Sequence, residues 1–169
     1  MELLEVIETR RSIRSFADKP VPRDALEKII KAAMQAPSAG NQRPWHFIIV
    51  TDKEKMARVP NFHPYCKMIT KAPAAIIICG EPEGVKWPTF WVQDCSAAAQ
   101  NLLLAARDLG LGTVWTGVYP EEDRMTGARK LFSIPENIIP FAIIPIGWPD
   151  GEFKVMNRFQ PERIHENGW

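Results

Sequence analysis

Apolar residues follow two rhythms along this chain. Short, nearly continuous runs occur at His46-Phe47-Ile48-Ile49-Val50, from Ala74 to Cys79, from Thr113 to Tyr119 and from Ile138 to Ile146. Runs of this length, rich in β-branched residues, predict buried strands. The last carries Pro140 and Pro145, which confine its pairing because proline cannot donate to a ladder. Elsewhere apolar positions recur at three and four, the helical spacing. That spacing predicts a short helix over residues 2–9, with Leu3, Leu4 and Ile7 on one side. A second helix opens at Val21-Pro22, carries Leu26, Ile29, Ile30 and Ala33 as its core stripe, and must end before Pro37. Thr51-x-x-Glu54 has the form of a capping box that starts another. A short helix is expected from Tyr65 to Lys71, and Pro120-Glu121-Glu122-Asp123 begins one with an acidic first turn.

The longest helical pattern runs from about Phe90 to Leu109. Its apolar residues occupy nearly every face, so it should be buried almost all round, and Gly110 and Gly112 close it. Pro37 to Trp45 and Glu81 to Pro88 are loops by composition, and 59–64 is irregular. The segment from Gly147 to Trp169 is polar but carries Phe153, Val155, Phe159, Ile164 and Trp169. A disordered tail rarely has such anchors, so this one should pack onto something, such as a second subunit. Helices and strands mix without a strict βαβ alternation, which favours an α+β sandwich over a doubly wound sheet.

The 169 residues fit one domain. A formal net charge of +1 argues against a nucleic-acid partner, whose affinity rests on many cationic contacts. Cys66, Cys79 and Cys95 are odd in number and widely spaced, which makes a disulfide framework or a structural zinc site unexpected. An acidic N-terminus and the lack of a long apolar run point to a soluble, cytoplasmic protein with no membrane partner.

Arg10-Arg11-Ser12-Ile13-Arg14-Ser15-Phe16 is the densest candidate for chemistry. In an extended segment, residues two apart share a face, so Arg10, Ser12 and Arg14 would present two guanidiniums with a hydroxyl between them. Such a face can hold a phosphate. On these seven residues alone the competing reading is a solvated basic turn. The loop from Pro37 to Trp45 offers Ser38, Asn41 and Gln42 as polar groups, with Gly40 allowing close backbone approach, or it is an ordinary helix-to-strand turn. Trp115-Thr116-Gly117 is either a strand end offering N–H groups to a flat ring or a core strand with a tight end. Arg158 gains weight only as a third cation for the same phosphate. No P-loop, dinucleotide fingerprint, His-Glu-x-x-His or Gly-x-Ser-x-Gly is present, and His46, His63 and His165 have no triad partner. Chemistry carried by a cofactor is the more attractive reading.

In this order these segments resemble the nitroreductase-like flavoproteins, specifically their short single-domain members. The resemblance is carried by Arg10 to Phe16, Ala36-Pro37-Ser38-Ala39-Gly40-Asn41 with Pro44-Trp45, and Gln93-Asp94. It continues through Gly110-Leu111-Gly112, Trp115-Thr116-Gly117, Pro145-Ile146-Gly147 and Arg163-Ile164-His165. It implies an α+β fold over residues 1–169, with a central, mainly antiparallel sheet flanked by helices. It also implies an intertwined homodimer with FMN at the interface and residues 148–169 packed on the partner. By the same resemblance Arg10, Arg11, Ser12, Arg14 and Arg158 would hold the FMN phosphate and ribityl chain. Pro37, Ser38 and Asn41 would reach the flavin from the other subunit, and Trp115, Thr116 and Gly117 would face the ring near N5.

The implied activity is hydride transfer from NAD(P)H through flavin N5 to a small electron-poor acceptor such as a nitroaromatic, quinone or flavin, with ping-pong kinetics. Alternatives are a specialised relative, either a dehalogenase or a flavin-consuming enzyme, and a non-catalytic flavin-binding dimer. One departure is the order Asn41-Gln42-Arg43-Pro44-Trp45, where the family reads Asn-x-Gln-Pro-Trp. A second is the missing helical insertion of longer relatives, which leaves 61–67 and 83–91 to line a pocket.

Overall fold

The computed structural model describes residues 1–153 and 155–169. Among them, five strands form one antiparallel sheet: β1 (Trp45–Val50), β2 (Ala74–Gly80), β3 (Gly112–Thr113), β4 (Thr116–Gly117) and β5 (Ile139–Gly147). The order is β1-β2-β5-β3, with β4 also paired to β5. The helices are α1 (Leu3–Thr9), α2 (Arg23–Ala33), α3 (Lys53–Arg58), α4 (Trp91–Asp108) and α5 (Glu122–Phe132). The fold is α+β, as the mixing of helices and strands without a strict βαβ alternation predicts.

The sheet is covered on both faces, which explains the continuous apolar runs of β2 and β5. Successive strand residues point to opposite faces. Ala74, Ile76, Ile78, Ala142, Ile144 and Ile146 therefore meet α2 and α4, while Ala75, Ile77, Cys79 and Ile143 meet a second cluster built with Met56, Val59, Ala128 and Leu131. β1 departs from expectation. It is an edge strand with only Trp45 and Val50 buried, because nothing pairs beyond it.

The strand expected over 113–119 divides into β3 and β4. Both keep one register on β5: Thr113 faces Ile146 and Thr116 faces Ile143. That register sets Val114 opposite Pro145, which has no N–H to give, and the Val114 N–H reaches the Pro145 carbonyl only at 3.4 Å. α4 is buried nearly all round, with Gln93, Gln100 and Asp108 its exposed positions. Two local expectations change. Leu3, Leu4 and Ile7 are exposed and Val6 is the buried anchor of α1, while Asp52, not Thr51, caps α3 by accepting from the Lys55 N–H. The short helix expected from Tyr65 to Lys71 is present as a 3-10 helix over Lys67–Lys71.

The arginine-rich stretch runs extended against the sheet margin. The Ile13 N–H donates to the Thr113 carbonyl at 2.9 Å, and Phe16 bridges Pro149. Ile13 lies over Gly112, where an added Cβ would sit 2.7 Å from the Ile13 side chain. Further along the same margin, beside β4, His63 is buried and its Nε2 is 2.9 Å from the Gly117 carbonyl oxygen. The carbonyl can only accept, so Nε2 carries the proton. Burial, reinforced by the charge of Arg124, pushes the His63 pKa below its ordinary 6.5. Among the described residues no helix is long and apolar enough to cross a membrane.

Gly112→Ala should destabilise the protein by about 1–3 kcal/mol, the usual cost of overpacking, read as a lower urea midpoint. A second expectation concerns acid. The unfolded chain binds a proton at His63 more readily than the folded one does. Stability should therefore be level above pH 6.5 on this account and fall as pH drops below it. The drop in unfolding midpoint between pH 7.5 and 5.5 should be smaller in His63→Gln, and equal drops would remove His63 as a contributor.

Candidate functional site

Arg10, Arg11 and Arg158 converge on a cavity of about 600 Å³, also lined by Gln100, Asn157 and Met156. The end of α1 supplies the first two. Arg10 is its C-cap, and the chain then turns extended onto Thr113. Among the described residues no carboxylate lies within ion-pair distance of these three arginines, although Glu8 also lines the cavity. Arg11 donates Nη1–H to the Arg10 carbonyl, while its Nε and Nη2 are buried without a partner. Burial first, then the charges of Arg158 and Arg11, push the Arg10 pKa below its usual value. Like charges gathered without a counter-charge are the groups an anion would relieve. Ser12 and Arg14 are exposed and lie outside this lining.

The polar loop is held to α4 by the buried Asp94. Its carboxylate accepts from the Ala39 N–H at 2.9 Å and from Gln42 Nε2 at 2.8 Å. Gln42 is wholly committed within the chain, because its amide also donates to the Trp87 carbonyl and accepts from the Trp87 N–H. Gln42, one of the two residues transposed from the family order, is thus a strut joining two loops. Ser38 Oγ accepts from the Arg43 N–H, while Pro37 and Asn41 are exposed. Gly40, Asn41 and Arg43 all have positive φ, and the indole of Trp87 closes over Gly40. None of Pro37, Ser38 and Asn41 lines the arginine cavity of the same chain.

β4 is pinned from behind. Thr116 Oγ1 lies 2.6 Å from the Ile143 carbonyl and 3.3 Å from Cys66 Sγ. With one proton to give, the hydroxyl donates to the carbonyl. The Cys66 thiol, whose pKa burial pushes up to about 11, stays protonated and donates to the hydroxyl. The Gly117 carbonyl accepts from both His63 and Arg124 Nη1 at 2.9 Å. On its open side Gly117 meets little: an added Cβ would find only the Tyr119 carbonyl oxygen, 4.0 Å away. Trp115 is half-buried and meets Phe141 edge-on, and Phe141 also meets Trp91.

Other chemistry is not assembled. Burial pushes the Cys79 and Cys95 pKa values up to about 12, so neither is a ready thiolate. His46 pairs with Glu81, and His165 stacks on Trp169. Among the described residues no group of three His, Cys, Asp or Glu side chains could hold a metal. Sequence inspection did not bring forward His63 with Arg124, since they lie 54 and 7 residues from Gly117 and no spacing rule links them. Asp94 was visible only as part of the Gln93-Asp94 match.

Comparison with known proteins bears on this geometry. The nitroreductase family model matches residues 7–148. The chain is 54% identical to a Methanothermobacter thermautotrophicus protein whose provisional name is NADH dehydrogenase/NAD(P)H nitroreductase, over 100% of this chain and 88% of the relative. A crystal structure from Parabacteroides distasonis, with the same provisional name, superposes with a TM-score of 0.94 at 41% identity, covering 100% of this chain and 99% of the other. An FMN-dependent nitroreductase of Clostridium difficile superposes with a TM-score of 0.90 at 32% identity, covering 98% and 99%. The match over most of the length, with the arginine-rich stretch, the polar loop and the Trp115-Thr116-Gly117 strand end all inside it, means that this chain belongs to the nitroreductase family of oxidoreductases.

Proposed function

We propose that this protein binds FMN and uses it to pass reducing equivalents from NAD(P)H to a small electron-poor acceptor. The observation that carries the reading is the arginine cavity. Among the described residues, Arg10, Arg11 and Arg158 bound about 600 Å³ with no carboxylate at ion-pair distance, and two donor nitrogens of Arg11, Nε and Nη2, are buried and unpaired. A phosphate ester supplies the acceptors and the negative charge that this cluster lacks. The FMN dependence in the name of the Clostridium difficile relative supports the choice of flavin nucleotide.

When bound, FMN supplies the hydride chemistry at N5, between NAD(P)H and an acceptor such as a nitroaromatic, quinone or flavin, in a ping-pong sequence. The chain's own residues divide the remaining work. Arg10, Arg11 and Arg158 hold the phosphate, and Ser12 and Arg14 extend that grip along the ribityl chain. Gly117 presents its backbone N–H to the ring, with Thr116 and Trp115 beside it. The open space against Gly117 suits a flat ligand, because among the described residues only the Tyr119 carbonyl oxygen, 4.0 Å away, would meet a Cβ there.

We infer further that two copies assemble as a homodimer. Pro37, Ser38 and Asn41, which lie away from this chain's arginine cavity, then serve the partner's flavin. The tail from 148 packs on the partner and covers Val155, Met156, Phe159 and Ile164, all exposed in one chain. A reducing compartment such as the cytoplasm fits three buried, free thiols.

The purified protein should be yellow, or become so with added FMN, and should bleach anaerobically with NADH or NADPH. A colourless protein that takes up no FMN would sink the proposal. Arg10→Ala should weaken FMN binding by about 1.5–3 kcal/mol, roughly ten- to hundred-fold in Kd, measured by fluorescence titration. Gly117→Ala should leave the unfolding midpoint of the flavin-free protein within about 0.5 kcal/mol of wild type, as unhindered substitutions do, while lowering flavin occupancy. Full occupancy in that variant would remove Gly117 from the ring contact.

A further inference from the structure

β4 pairs with β5 alone, so it has one free edge. The Val118 N–H donates to the Phe141 carbonyl at 3.0 Å, which turns Val118 toward β5. In an extended strand a residue's N–H and C=O point to the same side, and the side alternates. Gly117 therefore directs both groups to the free edge. Its carbonyl takes two donors there, His63 Nε2–H and Arg124 Nη1–H, each at 2.9 Å. Its N–H points the same way. The peptide group from Gly117 to Val118 is thus held at both ends, by two donors on its oxygen and by Phe141 on its hydrogen.

Glycine needs such holding. With no Cβ it samples a wide range of backbone angles, and nothing packs on its open side to narrow them. His63 is well suited to hold it. The ring is buried, and among the described residues its Nδ1 has no partner, so the hydrogen bond that offsets burial of the imidazole is the one to Gly117. The next turn of the same segment adds the Cys66 contact to Thr116. Two consecutive residues of β4 are therefore braced by side chains three positions apart.

We propose that His63 is a positioning residue of the active site: with Arg124 it fixes the Gly117–Val118 peptide and so narrows the backbone angles of Gly117, which keeps the N–H of Gly117, on the preceding peptide, aimed at the flavin ring. This rests on the FMN reading above. Neither side chain touches the reacting atoms. Their effect is to preorganise a donor beside charge that develops on the ring as it takes up electrons, and Arg124 adds a positive charge on the same edge.

Two readouts test the role. Amide hydrogen exchange at Val118 reports on the Gly117–Val118 peptide with no flavin present. The midpoint potential of bound FMN reports on the consequence. His63→Ala should speed Val118 exchange about tenfold, the scale of one hydrogen bond, and should lower the midpoint potential. His63→Gln, whose amide can reach the same carbonyl, should restore both. Arg124→Ala, at a half-exposed position that tolerates truncation, should move both in the direction of His63→Ala and keeps the test available if His63→Ala fails to fold. Unchanged Val118 exchange in His63→Ala overturns the role, as does a glutamine variant no better than alanine, or faster exchange with an unchanged potential. A wild type that takes up no FMN overturns the flavin reading itself. Val118 exchange then decides, without it, whether His63 fixes the peptide.

Discussion

β5 must satisfy hydrogen-bonding partners on both edges while carrying two prolines, and the rest of the sheet is arranged around that constraint. β2 pairs along one edge with a register shift at Cys79, opposite Pro140. The other edge is shared by β3 and β4, which keep one register but are parted where Pro145 has nothing to donate. The interruption leaves β4 as a two-residue strand ending in Gly117, too short to be stiffened by its own ladder. Side chains from 63–66 and from α5 do that instead. A missing N–H in the central strand thus leads to a braced, free-edged strand end, which is the kind of place where a ligand can approach backbone.

α4 links the two loops to the core. Asp94 near its start holds the Ala39–Gln42 turn, and Gln42 in turn grips Trp87. Six residues further along, Gln100 borders the arginine cavity. That is about 9 Å of helix rise, on a different face. One chain therefore separates its polar loop from its own cationic cavity by a rigid, deeply buried element. Ile13 on Gly112 and Phe16 beside Gly147 anchor the stretch that delivers Arg10 and Arg11 to the cavity.

Residue patterns carried the elements whose burial is simplest. The all-apolar runs of β2 and β5 and the small-residue helix α4 were legible because both faces, or all faces, meet core. The edge character of β1 was not, since its composition matches a buried strand and only the absence of a neighbour exposes it. The exposed face of α1 and the Asp52 cap were misread for a similar reason: local periodicity and a capping pattern each allowed a close competitor. In the candidate site, the clustering of Arg10 and Arg11 was visible as adjacent letters, and Arg158 was visible only as a possible third cation. Gln42 was visible as one polar group of a loop with two open readings, and both halves of its amide are spent on Trp87 and Asp94.

By itself, then, the sequence determined the α+β class, the apolar strands of the sheet centre and the chemical character of the cationic stretch. Those follow from side-chain periodicity and charge, which are properties of neighbours along the chain. Tertiary structure alone decided which polar groups remain unpaired. Whether Arg11 keeps two orphan N–H groups, whether Gln42 is consumed as a strut, and whether His63 and Arg124 meet on one carbonyl depend on partners brought together across the fold. A hydrogen bond needs its partners within about 3 Å. No spacing along the chain encodes that proximity when the partners are dozens of residues apart and belong to different elements.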